Sequence, residues 1–466
     1  MALRQWFAVA CVGLLAVAGL WGVSQLSVSA LLSADTAQRL QQYRSGSSPY
    51  VWSMRSPEEL VGRTVHTQAP WQFTEQGLRI RVGPGGVSVP LHLHGERIDS
   101  DVLDTLRITL RSKSDAHVTA LLDDDLRDTL TPRAESRAQG DAQTISMTLP
   151  RGLISRQLTL FFSAPDNSDV TLRSVALLSE RCAAPPCVPA VSTLALAVRP
   201  ELLLAQRDVE RQHAPQSLWR SPLPKVDAWV ALIQLVESVW WALPLLAALL
   251  ASVVVWRRSE PATPRRHQAE LLAVLGPIFV ALLLGWPNDT NLSGNLALPM
   301  LCLGTAWLLG DPDPRGMALI GGRDAWRAYL PLTVLLSGSL AVIALLNDAA
   351  RWPSLPDGLR YLFWSAVQQL LLIRFIAPRL ASGTRSTPML GLACGMVFAG
   401  LHLPNFSLSV LTLIAGAWWG IAGHRHRTLL PAVVAHTVLG LMLIAALPTD
   451  WLRSAEVGAR FVFAPQ

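Results

Sequence analysis

Long apolar runs separated by short polar connections fill both ends of the chain, and a polar stretch with a two-residue rhythm lies between them. The first run is Trp6 to Leu32, preceded by Arg4. It exceeds the ~7–15-residue core of a cleavable signal peptide, and at ~1.5 Å rise per residue it can cross a bilayer. It predicts an uncleaved anchor over 1–32; the small residues Val28 and Ala30 keep a signal peptide cut after Ala30 as the alternative. From 229 onward, apolar runs at about 229–256, 269–286, 296–310, 328–347, 361–377, 389–403, 408–422 and 429–447 predict spans, about nine crossings with the anchor.

Residues 33–187 carry the rhythm of strands. Leu78, Ile80 and Val82 alternate with Arg79 and Arg81; Val87, Val89, Leu91 and Leu93 with Ser88, Pro90, His92 and His94; Leu106, Ile108 and Leu110 with Arg107 and Thr109. Val118, Ala120 and Leu122, then Ile145, Met147 and Leu149, then Leu158, Leu160 and Phe162 repeat the pattern. Half-buried strands between Gly, Pro, Asp and Ser turns predict an antiparallel sandwich. It resembles the jelly-roll modules that often bind carbohydrate, an analogy of fold that assigns no function. Residues 188–226 read as a stalk, with helical composition over Glu201–Gln212 and breaks at Pro215, Pro222 and Pro224. The expected fold is a polytopic α-helical membrane bundle (227–447) with an inserted all-β domain (33–187) and a tail (448–466).

Composition agrees: 51% of residues are hydrophobic and 15% charged, against ~25% charged in soluble domains. Net charge is +6, but the arginines gather in short loops rather than in a nucleic-acid patch, so no nucleic-acid partner is expected. Arg257, Arg258, Arg265 and Arg266, then Arg315, Arg323 and Arg327, then Arg379 and Arg385, then Arg425 and Arg427 occupy alternate connections. The positive-inside rule makes those cytoplasmic and puts 33–226 and the C-terminus on the exported side of an inner (cytoplasmic) membrane. Cys182 and Cys187 then fall in an oxidising compartment, where a disulfide is expected; the alternative, a metal pair, lacks a second pair to complete a zinc site. Cys11, Cys302 and Cys394 read as small apolar residues of spans. His92 and His94 share a strand face without a third metal ligand, and Asp123, Asp124 and Asp125 lack calcium-loop spacing and read as a solvated turn.

Polar residues inside spans are costly and point to function. They are Glu237, Gln368, Gln369, Arg374, His402 and His436, with Asn405 just past a span end. Gln368, Gln369 and Arg374 lie on one run. Pro404 breaks the chain after His402, and His436 is at the middle of the last run. Two histidines and an amide on packed helices make a candidate buried site. Glu237 reads as an interfacial residue of Trp229–Trp241, or as a replacement base.

Residues about 360–447 resemble the CPBP family of CAAX proteases and bacteriocin-processing enzymes. Its motifs are Glu-Glu-x-x-x-Arg, Phe-x-x-x-His and His-x-x-x-Asn on consecutive helices. The second is present as Phe398-Ala-Gly-Leu-His402. The third begins at His436 but has Gly440 where Asn is expected. In the first, Gln368 and Gln369 take the glutamate positions and the Arg position falls on Ile373; aligning Arg374 instead puts Gln369 and Leu370 at the glutamates. The resemblance implies an intramembrane endopeptidase. His402 and His436 would bind zinc or the hydrolytic water, Gln368 and Gln369 would orient it, Arg374 would stabilise charge, and Asn405 would donate to an oxyanion. An amide cannot act as general base near neutral pH, so a non-catalytic relative that binds a membrane or envelope protein stays open. So does an envelope glycan-handling or transport protein, which the scarcity of intramembrane charge disfavours.

Overall fold

A computed structural model of the chain describes residues 2–44, 50–83, 85–93, 97–123, 131–164, 168–179, 191–195, 197–221, 223, 228, 249–250, 252–257, 263–283, 302–309, 316–346, 352–384, 386–447, 449–452 and 455–463. Glu237, Cys182, Cys187, His94, Asp124 and Asp125 lie outside the described residues, as do most of the predicted span at 229–256 and, of that at 296–310, residues 296–301 and 310.

The anchor is part of a longer helix, α1 (Ala2–Arg44), of 43 residues. Its first half presents Phe7, Leu14 and Leu15 outward, whereas Ser27–Leu32 farther along are buried by protein. The strand rhythm folds as predicted, into antiparallel strands packed in two layers. β6 (Thr105–Leu122) and β7 (Thr131–Thr148) form a long hairpin whose register shifts between Ser112 and Ala116. The first half of β6 pairs with β10 (Ser168–Leu178), and its second half with β9 (Leu158–Ser163). β1 (Val51–Trp52), β2 (Trp71–Thr74) and β3 (Gly77–Val82) extend the first layer and β4 (Val87–Leu91) the second, while β5 (Ile98–Asp99) and β8 (Ile154–Ser155) pair with each other apart from them. One hydrogen-bonded sheet is therefore doubled over. Leu106, Ile108, Leu110, Val118, Ala120 and Leu122 keep one parity through the bend and are all buried between the layers, as a period of two requires. Gly77 makes the β2–β3 turn: its φ is +127°, and a Cβ there would lie 2.2 Å from Leu172 O.

Asp123 departs from the solvated-turn expectation. It is buried, and its carboxylate accepts from Ser155 Oγ and from the backbone N–H groups of Arg156 and Gln157, both at 2.8 Å. It fastens the turn before β9, because a buried carboxylate must be hydrogen-bonded.

Helix α2 (Pro200–His213) connects β11 (Val191–Thr193) to β12 (Leu218–Arg220), which pair in parallel. Val28, Leu31, Leu203, Leu204, Trp219 and Phe461 bury one another, so α1, α2 and the C-terminal segment form a collar.

Further helices among the described residues include α3 (Pro264–Leu283), α4 (Arg323–Leu346), α5 (Leu355–Leu371), α6 (Ala377–Gly383), α7 (Thr387–Gly400), α8 (Phe406–His426), α9 (Leu430–Ala446) and the short α10 (Thr449–Leu452) and α11 (Ala459–Phe463). Phe7–Tyr43 of α1, α4 and α8 are long and apolar enough to cross a membrane; α7 and α9 are shorter and apolar. Among the described residues, three helices thus meet the span criterion where about nine crossings were expected over the whole chain. α7 and α8 pack closely through glycine. A Cβ at Gly395 would lie 2.2 Å from Leu413 O, and one at Gly420 would lie 2.3 Å from Cys394 Cβ. Small residues at such a crossing let two backbones approach, and this fixes the turn between the helices.

Candidate functional site

Four elements meet around His436. It lies on α9 with its ring stacked on Trp419 of α8, centroids 4.6 Å apart and planes 31° from parallel. Phe398 of α7 meets it edge-on at 5.6 Å and also packs on His402, at 5.0 Å. Gln369, at the C-terminal end of α5, donates from Nε2 to His436 Nδ1 at 3.2 Å. All five side chains are buried.

The hydrogen bonds set the tautomers. A carbonyl only accepts, so the 2.7 Å contact of His402 Nδ1 with Phe398 O puts the proton on Nδ1 and leaves a lone pair on Nε2. His436 Nδ1 accepts from the amide, so its proton is on Nε2. As neutral rings, His402 offers an acceptor and His436 a donor.

This donor set does not fit a catalytic zinc. Such a site needs three protein ligands with free lone pairs, whereas His436 Nε2 is protonated. Among the described residues no three of His, Cys, Asp and Glu come together. The site does suit a neutral group that both donates and accepts. Gln368 Oε1, Gln369 Oε1, Ser365 Oγ and Trp419 Nε1 are buried without a hydrogen-bond partner among the described residues; an unmet buried polar group costs about 1–3 kcal/mol.

Two predicted site residues are engaged elsewhere. Arg374 lies in a π-helical turn, Leu372–Ile376, between α5 and α6. Its guanidinium packs 5.3 Å from the Trp307 ring centroid, away from the histidines. A π turn inserts one residue into an α-helix, which accounts for Arg374 standing one place beyond the position the first motif assigns to it. Asn405 caps α8 by accepting from Leu408 N at 3.1 Å, and its Nδ2 donates to Leu452 O at 2.8 Å and Glu456 O at 3.2 Å. It ties the site's turn to the C-terminal segment instead of facing an oxyanion position.

Sequence reasoning missed Glu270 and Arg379. Glu270 of α3 is wholly buried, 3.0 Å from Arg266 Nε and 2.7 Å from Arg379 Nε. Arg379 also donates to Phe375 O and Leu309 O. Arg379 reads as loop charge in the sequence, and Glu270 as the edge of a span; the Arg266–Glu270 spacing of four is the signal that pairs them. Away from these helices, the outer face of the sandwich holds a cavity of about 540 Å³ lined by Thr74, Gln76, Arg79, Arg111, Asp169 and Thr171.

The family model of the type II CAAX prenyl endopeptidase Rce1-like proteins matches residues 351–442, which run from α5 into α9 and include every residue described around His436. The match to the Rce1-like (CPBP) family is confined to this C-terminal region. Family members are proteases, and Gln368, Gln369 and Gly440 are where this Rce1-like region departs from the family's motifs. No curated protein matches the chain. Among solved structures, a family 6 carbohydrate-binding module from Clostridium stercorarium in complex with cellobiose is 12% identical, covering 28% of this chain and 92% of that one at a TM-score of 0.21. A family 29 carbohydrate-binding module from Piromyces equi is 9% identical, covering 24% and 76% at a TM-score of 0.20.

Proposed function

We propose that the Rce1-like domain of this chain is a non-hydrolytic relative that binds a membrane-embedded peptide segment. The observation that carries this reading is the Gln369–His436 bond. An amide stands where the family has a carboxylate, and an amide cannot take a proton from water near neutral pH. The unpartnered acceptors and donors around it favour recognition of a neutral backbone over activation of water. In this reading the chain is an inner-membrane protein of about nine spans, its sandwich and C-terminus exported, and its partner a membrane or envelope protein.

The retained pair of histidines favours a second reading, an endopeptidase in which His402, whose Nδ1 bonds Phe398 O and leaves Nε2 to accept, is itself the base. Comparison of peptide N-termini in membranes of cells carrying the wild type, a deletion and His402→Ala separates the two. The binding reading expects no membrane-protein terminus that depends on His402. A terminus present with wild type, and absent from both others, would replace it by the endopeptidase reading.

A further inference from the structure

Tyr361 is singled out by neither charge nor motif. It stands on α5 two turns before Gln369, with Ser365 midway, so the three share one stripe of the helix. Both ends of the stripe face α9. Gln369 bonds His436, and the Tyr361 ring stands edge-on to the same imidazole, centroids 6.0 Å apart at 89°. The Tyr361 hydroxyl lies against Gly440, where an added Cβ would come within 2.0 Å of it. Gly440 has no left-handed φ to explain it; it is the hole into which the phenol fits. Ser365, fully buried between them, has an unpartnered hydroxyl. The polar groups along this seam are of both kinds: the Tyr361 and Ser365 hydroxyls and His436 Nε2 donate, while Gln369 Oε1, buried without a described partner, accepts.

We infer that the α5–α9 seam, from Gln369 to Tyr361, takes an unwound backbone stretch of a membrane-spanning peptide, with the Tyr361 hydroxyl donating to one of its carbonyls. The inference rests on the binding reading above. An intact helix satisfies its own backbone groups in a membrane, so only a broken helix has amides to offer this seam. Tyr361 is a specificity determinant, and Gly440 makes room for it.

The test uses the full-length chain in lipid nanodiscs and two labelled Leu/Ala peptides of about 20 residues, enough to cross a bilayer. One carries a central Gly-Pro break and the other is unbroken; binding is read by fluorescence anisotropy. The broken peptide is expected to bind at least about tenfold more tightly than the unbroken one. Tyr361→Phe, which keeps the ring and removes the hydroxyl, should weaken it about five- to tenfold, the worth of one hydrogen bond. Phe363→Leu, on the exposed side of α5, should bind as wild type. If Tyr361→Phe does not fold, Ser365→Ala reads the same seam and should lose about fivefold. Wild-type affinity in Tyr361→Phe and Ser365→Ala, with binding lost in Gln369→Leu, would overturn the seam and leave the pocket reading standing. Equal binding of both peptides, or of neither, would overturn the ligand class. Cleavage of the broken peptide, seen by mass, would overturn the non-hydrolytic reading alone.

Discussion

Gln369 and His436 share one hydrogen bond, and that bond decides which imidazole nitrogen carries a proton. Gln369→Leu removes it and leaves Nδ1 buried and unmet, a cost of about 1–3 kcal/mol. The expected result is a lower melting temperature in detergent, with Gln369→Glu shifted less because a carboxylate still partners the ring. Gly440→Ala sets a Cβ against the Tyr361 hydroxyl and should cost about 1–3 kcal/mol by overpacking. Thermal unfolding checks it, and a Tyr361→Ala background should abolish the increment. Chemistry at this scale was only partly legible. His402, His436 and the glutamines stand out because polar groups are rare in apolar runs. Tyr361 does not, because an aromatic residue in an apolar helix is ordinary. Asn405 is conspicuous, but its role depends on carbonyls 47 and 51 residues away in the tail.

Among the elements, strands were the most legible and the ends of helices the least. A period of two survives the bend in β6 because the residues on both sides of it face the same core. The π turn at Leu372–Ile376 leaves no mark in an apolar sequence; only the displaced Arg374 hints at it. The salt-bridged Glu270 lies where α3, α6 and the 302–309 helical stretch converge. Glu270→Ala takes from two buried arginines the carboxylate that both of them bond. Removing one partner of such a cluster costs about 3–5 kcal/mol, enough to abolish detergent-stable folding, which size-exclusion chromatography would show as aggregation. On the sandwich surface the same kind of pair is weak. Arg79 Nη2 lies 2.6 Å from Asp169, and Arg81 Nε 3.5 Å from it. The hydrogen bond from Arg79 holds the Asp169 carboxyl below its ordinary range. A lowered pKa adds stability that is complete above the unfolded value, ~4, and is lost as pH falls through the folded one. Asp169→Asn should therefore cost under about 1 kcal/mol at neutral pH and nothing in strong acid, measured as a melting-temperature difference against pH.

At the scale of the molecule, the collar is what no periodicity announces, because its parts are far apart in sequence. Glu201, in the first turn of α2, accepts from Ser407 N at 2.7 Å, at the N-terminus of α8; a carboxylate is favoured at that end of a helix. Arg207, almost fully buried on α2, donates to Val462 O at 2.6 Å. Gly458 N donates to Leu403 O beside the site's turn, at 3.1 Å. The C-terminal segment is thus wedged between the stalk helix and the turn that carries His402. Truncation after Leu447 removes the carbonyls that Asn405 and Arg207 bind and the Phe461 side chain from the collar. The stalk helix and the α7–α8 turn should then come free of each other while the sandwich keeps its own core. Brief trypsin treatment of the truncated chain in detergent should cut at Arg207, which is almost fully buried in the full chain, and release an intact sandwich fragment. Equal protection in both chains would mean that the stalk docks on the helical domain without the tail, through Glu201 and α1 alone.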